Sequence, residues 1–551
     1  MNPAASLERV DVALMSNARA PFGAWLRSGL ALLAAAPALV GLAAVLFSWH
    51  DPQSELLAHL ARHLLGDAVL LSAGLALTVA LAAIVVGGGF ALLVGLCDFR
   101  GRRVLEVLLV LPLAVPAYVL AFTWISVLDV GGPLRGWLIA EFGHARWLPS
   151  LRNPGGAWLL MSAALYPYVY LLTRAALDAR GRALFEAART LGRTPWSAAI
   201  HAVLPVLWPS LIAGATLVAL EVLAEFGAMA ILGVDTLSTV VYRTWFGLGS
   251  LAAAAQVASI LLLLALLVLL GERWAKGRAP HATDVRSHGP ALKLDALGTG
   301  VAWLLALLWL TPALLLPLAV LGWWSFDLDI GWRRLLDPAW QTLRFAAGAA
   351  SLIVLAGMLF ALAPRAGHAA RALPWLRRVA GLGYAMPGVV LAAGLMLCLI
   401  AVERLLGLPG VLASSALAVW LGLLARFMRV GTTGAARAVA LVPASLDAVA
   451  RTLGATRWRR LVAVRLPLLW PGLAATWLLA FVECAKELPA TLMLRPFGAD
   501  TLAVKVYNAT SEGLWQAAAP PALAIVLVAL LPAWWLLRDR RAALAVTASA
   551  Q

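Results

Sequence analysis

A chain of 551 residues with 62% hydrophobic and only 13% charged side chains cannot be a water-soluble globule, whose charged fraction runs near 25%. Its 43 Lys and Arg against 27 Asp and Glu leave a net charge of +16, which in so apolar a chain reads as basic loops facing anionic lipid and not as a nucleic-acid surface. Three cysteines, Cys97, Cys398 and Cys484, lie in or beside apolar runs and exclude a disulfide framework.

A helix needs about 20 apolar residues to cross the hydrocarbon layer. Runs of that kind predict spans at 30–48, 68–96, 104–128, 156–174, 208–232 and 252–271 in the first half, and at 301–325, 343–363, 379–402, 409–428, 470–494 and 520–537 in the second. The fold class is therefore an all-α polytopic membrane protein of about twelve spans. Arg9, Arg19 and Arg27 precede the first run, but that run is long and has no convincing small-residue cleavage site, so it is a retained helix. Many of the 24 tryptophans, such as Trp49, Trp147, Trp208, Trp323, Trp470 and Trp534, fall at span ends as interfacial anchors. Pro116 and Pro387 occupy matching positions in LAVPAYV and YAMPGVV. Inside a span, proline kinks the helix and frees a carbonyl, for a moving pathway or for packing.

Basic residues crowd alternate loops: Arg100, Arg102 and Arg103; Arg174 to Arg193; Arg273 to Arg286; Arg365 to Arg378; the Arg426–Arg465 stretch; and Arg538 to Arg541. These loops and both termini are expected in the cytoplasm. Arg135, Arg146, Arg152, Arg333 and Arg334 lie in the opposite loops, so the rule is a bias.

The chain is a tandem duplication. EAARTLGRTPWSAAIHAVLPVLWPSL at 186–211 aligns with AVARTLGATRWRRLVAVRLPLLWPGL at 448–473. Ala188 to Gly192 fall over Ala450 to Gly454, Leu204-Pro205 over Leu466-Pro467, and Trp208-Pro209 over Trp470-Pro471, all at an offset of 262 residues. The same offset carries Glu221 to Glu483 and Glu225 to Glu487. Six spans per copy is an even number, so both copies enter the membrane the same way round. The expected organisation is a cytoplasmic tail (1–28), a first membrane domain (29–274), a cytoplasmic linker (275–294), a second membrane domain (295–540) and a short cytoplasmic tail (541–551). In each repeat a short cytoplasmic helix passes a glycine and re-enters the membrane at Leu-Pro, a shape able to offer a knob to a partner.

Glu221 and Glu225, like Glu483 and Glu487, are spaced to share one face of a continuous helix. The 16 residues from Pro205 to Glu221 rise roughly 24 Å, placing the acids in the outer part of the membrane. An acid at such a depth marks a functional site by default. Two roles are open: a pathway lined by four carboxylates, suited to a hard trivalent cation, or a gate closed by ion pairs, since Lys486 stands three residues after Glu483.

The first repeat resembles the EAA loop of permease subunits in binding-protein-dependent ABC importers, with Glu186, Ala187, Ala188, Gly192 and the trailing Leu204-Pro205. The resemblance implies two homologous six-helix type I permease domains. It also implies coupling loops near 182–205 and 444–467, Ala450 and Gly454 included, that dock into two cytoplasmic ATPase subunits, which bind ATP-Mg. The second copy departs from the pattern: Ala448 stands in the glutamate's place, Val449 replaces the first alanine, and Asp447 falls one residue early. KELPATLMLRPFGADTLAVKVYNATSEG at 486–513 and LPLAVPAYV at 111–119 are similar to fused-double permeases of the ferric-iron uptake family. In that family a periplasmic binding protein delivers Fe(III) to a permease in the bacterial inner membrane, while related fused permeases are similar to carriers of thiamine, phosphonates or other small ligands.

A proton-coupled facilitator also has twelve helices in two halves, and Gly95, Asp98, Gly101, Arg102 and Arg103 partly match its loop motif. Val94 and Phe99 break that match. No phosphate loop, H-E-x-x-H or paired-cysteine motif occurs, so the chain carries no catalytic, cofactor or firmly assigned metal site of its own. The eight histidines are scattered, mostly in loops.

Overall fold

The computed structural model describes residues 21–129, 131–146, 150–276, 292–327, 333–361 and 376–530, except 378, 379, 382, 385, 441 and 443. Residues 1–20 and 541–551 of the expected tails, most of the linker, part of the ninth span and the ends of the eighth and twelfth lie outside the described residues, and residues 21–28, expected in the first tail, belong to the first helix. The first half runs α1 (Pro21–Phe47), α2 (Ser54–Leu96), α3 (Arg102–Leu108), α4 (Ala117–Leu128), α5 (Pro133–Phe142), α6 (Pro154–Ala176), α7 (Arg182–Thr190), α8 (Leu204–Ala224), α9 (Gly227–Leu232), α10 (Leu237–Phe246) and α11 (Leu251–Lys276). The second runs α12 (Ala296–Phe326), α13 (Arg333–Ala361), α14 (Gly388–Leu406), α15 (Ala416–Ala440), α16 (Ala444–Thr452), α17 (Leu466–Lys486), α18 (Pro489–Leu494), α19 (Leu502–Ser511) and α20 (Trp515–Leu530). Among the described residues 11 helical stretches are long and apolar enough to cross a membrane, with α20 a shorter apolar helix. The polytopic all-α reading is thereby met.

Five expected spans differ, the ninth among them. The third is broken, because Pro116 does not kink a helix but begins one: with φ −59° and ψ 145° it caps α4, after the short turn Leu111–Ala114. Pro387 does the same for α14, with φ −55° and ψ 141°. A proline has no N–H to give an upstream carbonyl, so the first helical turn is where it costs least. The fifth and eleventh spans break after Ala224 and Lys486, where Glu225 and Glu487 adopt extended backbone. The tenth begins at Ala416 and continues to Ala440, so residues 409–415 are a turn and Arg426 lies inside the helix, not in a cytoplasmic loop.

The halves exchange their first helices. α1 packs on α13, α14 and α15 of the second half, and α12 packs on α4 and α6 of the first. Gly41 and Gly394 let α1 and α14 approach backbone to backbone, since a Cβ on Gly394 would sit 2.1 Å from the Gly41 carbonyl oxygen. Close approach through small residues is the usual way helices associate in lipid. On the other side, Trp124 Nε1 donates to the Pro312 carbonyl at 2.9 Å and Trp303 Nε1 to the Arg100 carbonyl at 3.1 Å. One apolar core consequently runs through both halves. The end of the linker is fixed too: Leu292–Lys293 pairs in parallel with Cys97–Asp98, a two-residue ladder in an otherwise helical chain.

Candidate translocation pathway and coupling loops

The breaks at Glu225 and Glu487 carry the central site. An α-helix leaves its first N–H groups unpaired, and each glutamate supplies an acceptor for the short helix that follows. Glu225 Oε1 accepts from Ala228 N at 2.8 Å. Glu487 accepts from Ala490 N at 3.0 Å, Thr491 N at 2.9 Å and Thr491 Oγ1 at 3.1 Å. The sequence expectation that Glu221/Glu225 and Glu483/Glu487 share continuous helical faces is therefore corrected. In each half the first acid projects from the last full turn of the helix, while the second turns back to cap the next.

All four carboxylates border one cavity of about 120 Å³ where the halves meet, together with Pro116, Tyr118, Tyr168, Tyr384, Arg426 and Lys486. Lys486 Nζ pairs with Glu483 Oε1 at 2.9 Å, and Arg426 Nε stands 3.6 Å from Glu487 Oε1. The Tyr118 hydroxyl donates across the contact to the Lys486 carbonyl at 3.4 Å. Arg426 Nη1 also donates to the Met386 carbonyl at 3.1 Å, next to Pro387. Glu221 makes no hydrogen bond or ion pair to any described residue. Both cations come from the second half: at the 262-residue offset, Arg426 and Lys486 correspond to Ala164 and Ala224. Sequence reasoning placed Lys486 here but missed Arg426, Tyr118, Tyr168 and Tyr384. An arginine 18 residues before the predicted coupling loop at 444 is a signal it could have used, because a basic residue inside a span needs a carboxylate.

The coupling loops are built from backbone. Leu191 N donates to the Ala187 carbonyl and Arg193 N to the Ala188 carbonyl, both at 3.1 Å, closing the end of α7. Ala455 N to the Ala450 carbonyl, at 3.0 Å, repeats the closure in α16. Gly192 and Gly454 take φ +84° and +74°, the left-handed conformation that ends a helix at low cost only in glycine. Thr194 and Thr456 then cap the next turn through Ser197 N and Arg459 N, each at 3.3 Å. This geometry holds two side chains per loop out into solvent: Leu191 and Trp196 are 85% and 77% exposed, and their counterparts Leu453 and Trp458 are 80% and 73% exposed. Neither pair was singled out from the sequence, although the offset of 262 connects them. Glu186 is half-buried, and the side chains of Asp447 and Ala448 lie outside the described residues.

Two fused homologous membrane domains, a shared charged cavity at their junction and two matched exposed knobs are the parts of a transport permease. The chain belongs to the family of binding-protein-dependent transport system inner membrane components, matched twice, over residues 87–278 and 353–542. It is thus the multi-pass inner-membrane permease of an ABC importer, a family that works with a substrate-binding protein and an ATPase. It is 25% identical over 476 residues to the Fe(3+)-transport system permease protein FbpB 2 of Haemophilus influenzae, covering 83% of this chain and 87% of that one. It is 33% identical over 182 residues to the sulfate transport system permease protein CysT of Escherichia coli, 31% of this chain and 62% of that one. A putative 2-aminoethylphosphonate transport system permease protein, PhnV of Salmonella typhimurium, is 33% identical over 202 residues, 36% of this chain and 70% of that one.

Proposed function

We propose that this chain forms the whole membrane pathway for ferric iron released by a periplasmic binding protein, driven by two separate ATPase subunits, one on each coupling loop, with both termini in the cytoplasm. The observation that carries the choice of cargo is the charge of the junction cavity: four carboxylates against Arg426 and Lys486. An excess of negative charge attracts a cation and repels sulfate or a phosphonate. Ferric iron is a hard ion that prefers oxygen donors, which the glutamates and tyrosines supply. Among the described residues no group of three or more His, Cys, Asp or Glu is arranged to hold a metal. The cavity therefore suits passage instead of storage, since a cargo bound too tightly would not leave. A relative similar over most of this chain is named as an iron permease, which supports the same cargo.

In this reading Glu221 meets the cargo, the Lys486–Glu483 and Arg426–Glu487 pairs close the junction, and Pro116, Pro387 and the two glutamate-capped breaks let helix ends move without unwinding whole spans. The ATPases seat on Leu191 and Trp196 in one loop and on Leu453 and Trp458 in the other. Glu186, Ala187, Ala188, Gly192, Ala450 and Gly454 shape the two knobs. The test is uptake in proteoliposomes by a chain carrying both Glu221→Gln and Glu483→Gln, at matched insertion and ATPase content. Iron uptake is expected to fall at least tenfold; unchanged uptake would remove the carboxylates from the pathway.

A further inference from the structure

The two halves line the junction cavity with different chemistry at matched positions. At the offset of 262, Arg426 and Lys486 stand where the first half has Ala164 and Ala224, and all four residues border the cavity. Each half offers two carboxylates there, but the first half meets them with methyl groups and the second with cations.

The two cations are held differently. Arg426 is fixed in place: its Nη1 donates to the Met386 carbonyl at 3.1 Å, its Nε stands 3.6 Å from Glu487 Oε1, and Glu487 is itself engaged by three donors at the start of α18. Lys486 is tethered more loosely. Among the described residues its Nζ pairs with Glu483 Oε1 alone, at 2.9 Å, and the two side chains keep 20% and 24% exposure. Its backbone is what the neighbouring half holds, since the Lys486 carbonyl accepts from the Tyr118 hydroxyl at 3.4 Å. An ammonium on a flexible four-carbon stem leaves a single partner without moving the helix that carries it. A guanidinium shared between a carbonyl and a capping carboxylate has no such freedom.

The acids divide in the same way. Glu225 and Glu487 cap helices, which leaves Glu221 and Glu483 to face a cargo, and Lys486 covers one of these two. A second cation can use Glu483 only while the lysine is away, so its apparent affinity falls by the fraction of time the carboxylate is open. That reduction serves a pathway, where binding must be strong enough to admit an ion and weak enough to release it.

We propose that Lys486 is a built-in competitor for the cargo: it occupies Glu483 in the empty pathway, yields that carboxylate to an arriving hard cation, and takes it back as the cation leaves. The inference rests on the proposed passage of such a cation through this cavity, and it gives Lys486 a release role beyond closing the junction.

Terbium(III) is the probe, a hard trivalent ion whose luminescence is sensitised by nearby aromatic rings, and Tyr118, Tyr168 and Tyr384 line the cavity. The full chain in a neutral detergent is titrated with Tb(III), and the Glu221→Gln, Glu483→Gln chain identifies the part of the signal that belongs to the cavity. Lys486→Met, which keeps the length of the side chain and loses its charge, should bind Tb(III) at least tenfold more tightly than wild type and release it more slowly. A damaged fold does not produce such a gain. Ala224→Lys places an ammonium three residues after Glu221, the spacing of Glu483 and Lys486, and should weaken binding by a similar factor. With ATPase and binding protein in proteoliposomes, Lys486→Met should hydrolyse ATP yet deliver iron several-fold more slowly.

Equal or weaker Tb(III) binding by Lys486→Met, with the signal still lost in the double glutamate variant, would overturn the competitor and leave the pathway standing. Tighter binding with wild-type iron delivery would overturn the release role. A signal indifferent to Glu221 and Glu483 would overturn the pathway and the competitor together.

Discussion

Replacing Glu487 by alanine should do more damage than any other single change in the junction cavity, and the structure says why. Three donors converge on this carboxylate, Ala490 N, Thr491 N and Thr491 Oγ1, and Arg426 lies beside it. Glu487 is only 6% exposed, so water cannot replace the missing acceptor. A buried donor left unsatisfied costs about 1–3 kcal/mol, and removing one partner of a buried ion pair costs about 3–5 kcal/mol. These terms overlap and do not add, so the expected loss is about 3–5 kcal/mol. Glutamine keeps one carbonyl acceptor for the N-terminus of α18, but its NH2 replaces the second accepting oxygen and the charge opposite Arg426 is lost, so it costs somewhat less than alanine, about 2–4 kcal/mol. The assay is thermal unfolding of detergent-purified protein followed by intrinsic tryptophan fluorescence, with uptake measured in parallel. Glu487→Ala should lower the midpoint clearly, Glu487→Gln by less, and Glu221→Gln hardly at all, because Glu221 makes no hydrogen bond or ion pair to a described residue. A Glu487→Ala protein with wild-type melting and uptake would refute the capping argument. So would a Glu221→Gln protein that melts as early as Glu487→Ala.

A side chain at Gly192 or Gly454 meets nothing within 4 Å, so the cost of Gly192→Leu or Gly454→Leu is the left-handed backbone alone, about 1–2 kcal/mol; Asn at either site should be milder, and ATPase recovery on the purified chain ranks the variants. Leu191→Ser with Trp196→Ser, or the matched pair Leu453→Ser with Trp458→Ser, should leave insertion intact and weaken ATPase binding at least tenfold, given roughly 1.5–3 kcal/mol for each large apolar side chain buried; undiminished binding by both double variants would show that the exposed pairs are not the contact. Glu403 accepts from the backbone N–H groups of Gly410, Leu412 and Ala413 and holds the turn between α14 and α15. Its replacement by Ala should lower the melting midpoint and expose 407–415 to limited proteolysis, without changing ATPase binding.

What was legible in the sequence was set by pattern over long stretches. Unbroken apolar runs gave nearly every span, and the shared register of Arg189, Gly192, Trp208 and Glu221 with Arg451, Gly454, Trp470 and Glu483 gave the duplication. The helix breaks were not legible, because Glu225 and Glu487 sit at a spacing that fits a continuous helix equally well; only the donors of Ala228 and Ala490 show that each carboxylate caps a new one. Arg426 was misplaced for a related reason. Hydropathy alone ended this span two residues after its first arginine and left Arg426 to be counted with the basic loop, but a partner on another helix, here Glu487, keeps it inside. The exchange of α1 and α12 between halves left no trace in either helix taken singly, since Gly41 and Gly394 acquire meaning only as a pair. Pro116 and Pro387 were found, yet as kinks; a proline with an extended residue before it, as at Val115, starts a helix instead.

The central claim is that this chain carries ferric iron under power from a separate ATPase. The direct measurement reconstitutes it in proteoliposomes with its ATPase inside and an Fe(III)-loaded binding protein outside, and follows radioactive iron into the lumen with and without ATP. Accumulation above the external concentration that requires ATP, requires the binding protein and is lost in the Glu221→Gln, Glu483→Gln chain is the predicted result. Iron uptake that needs neither ATP nor the binding protein, or accumulation of sulfate or a phosphonate with none of iron, would contradict it.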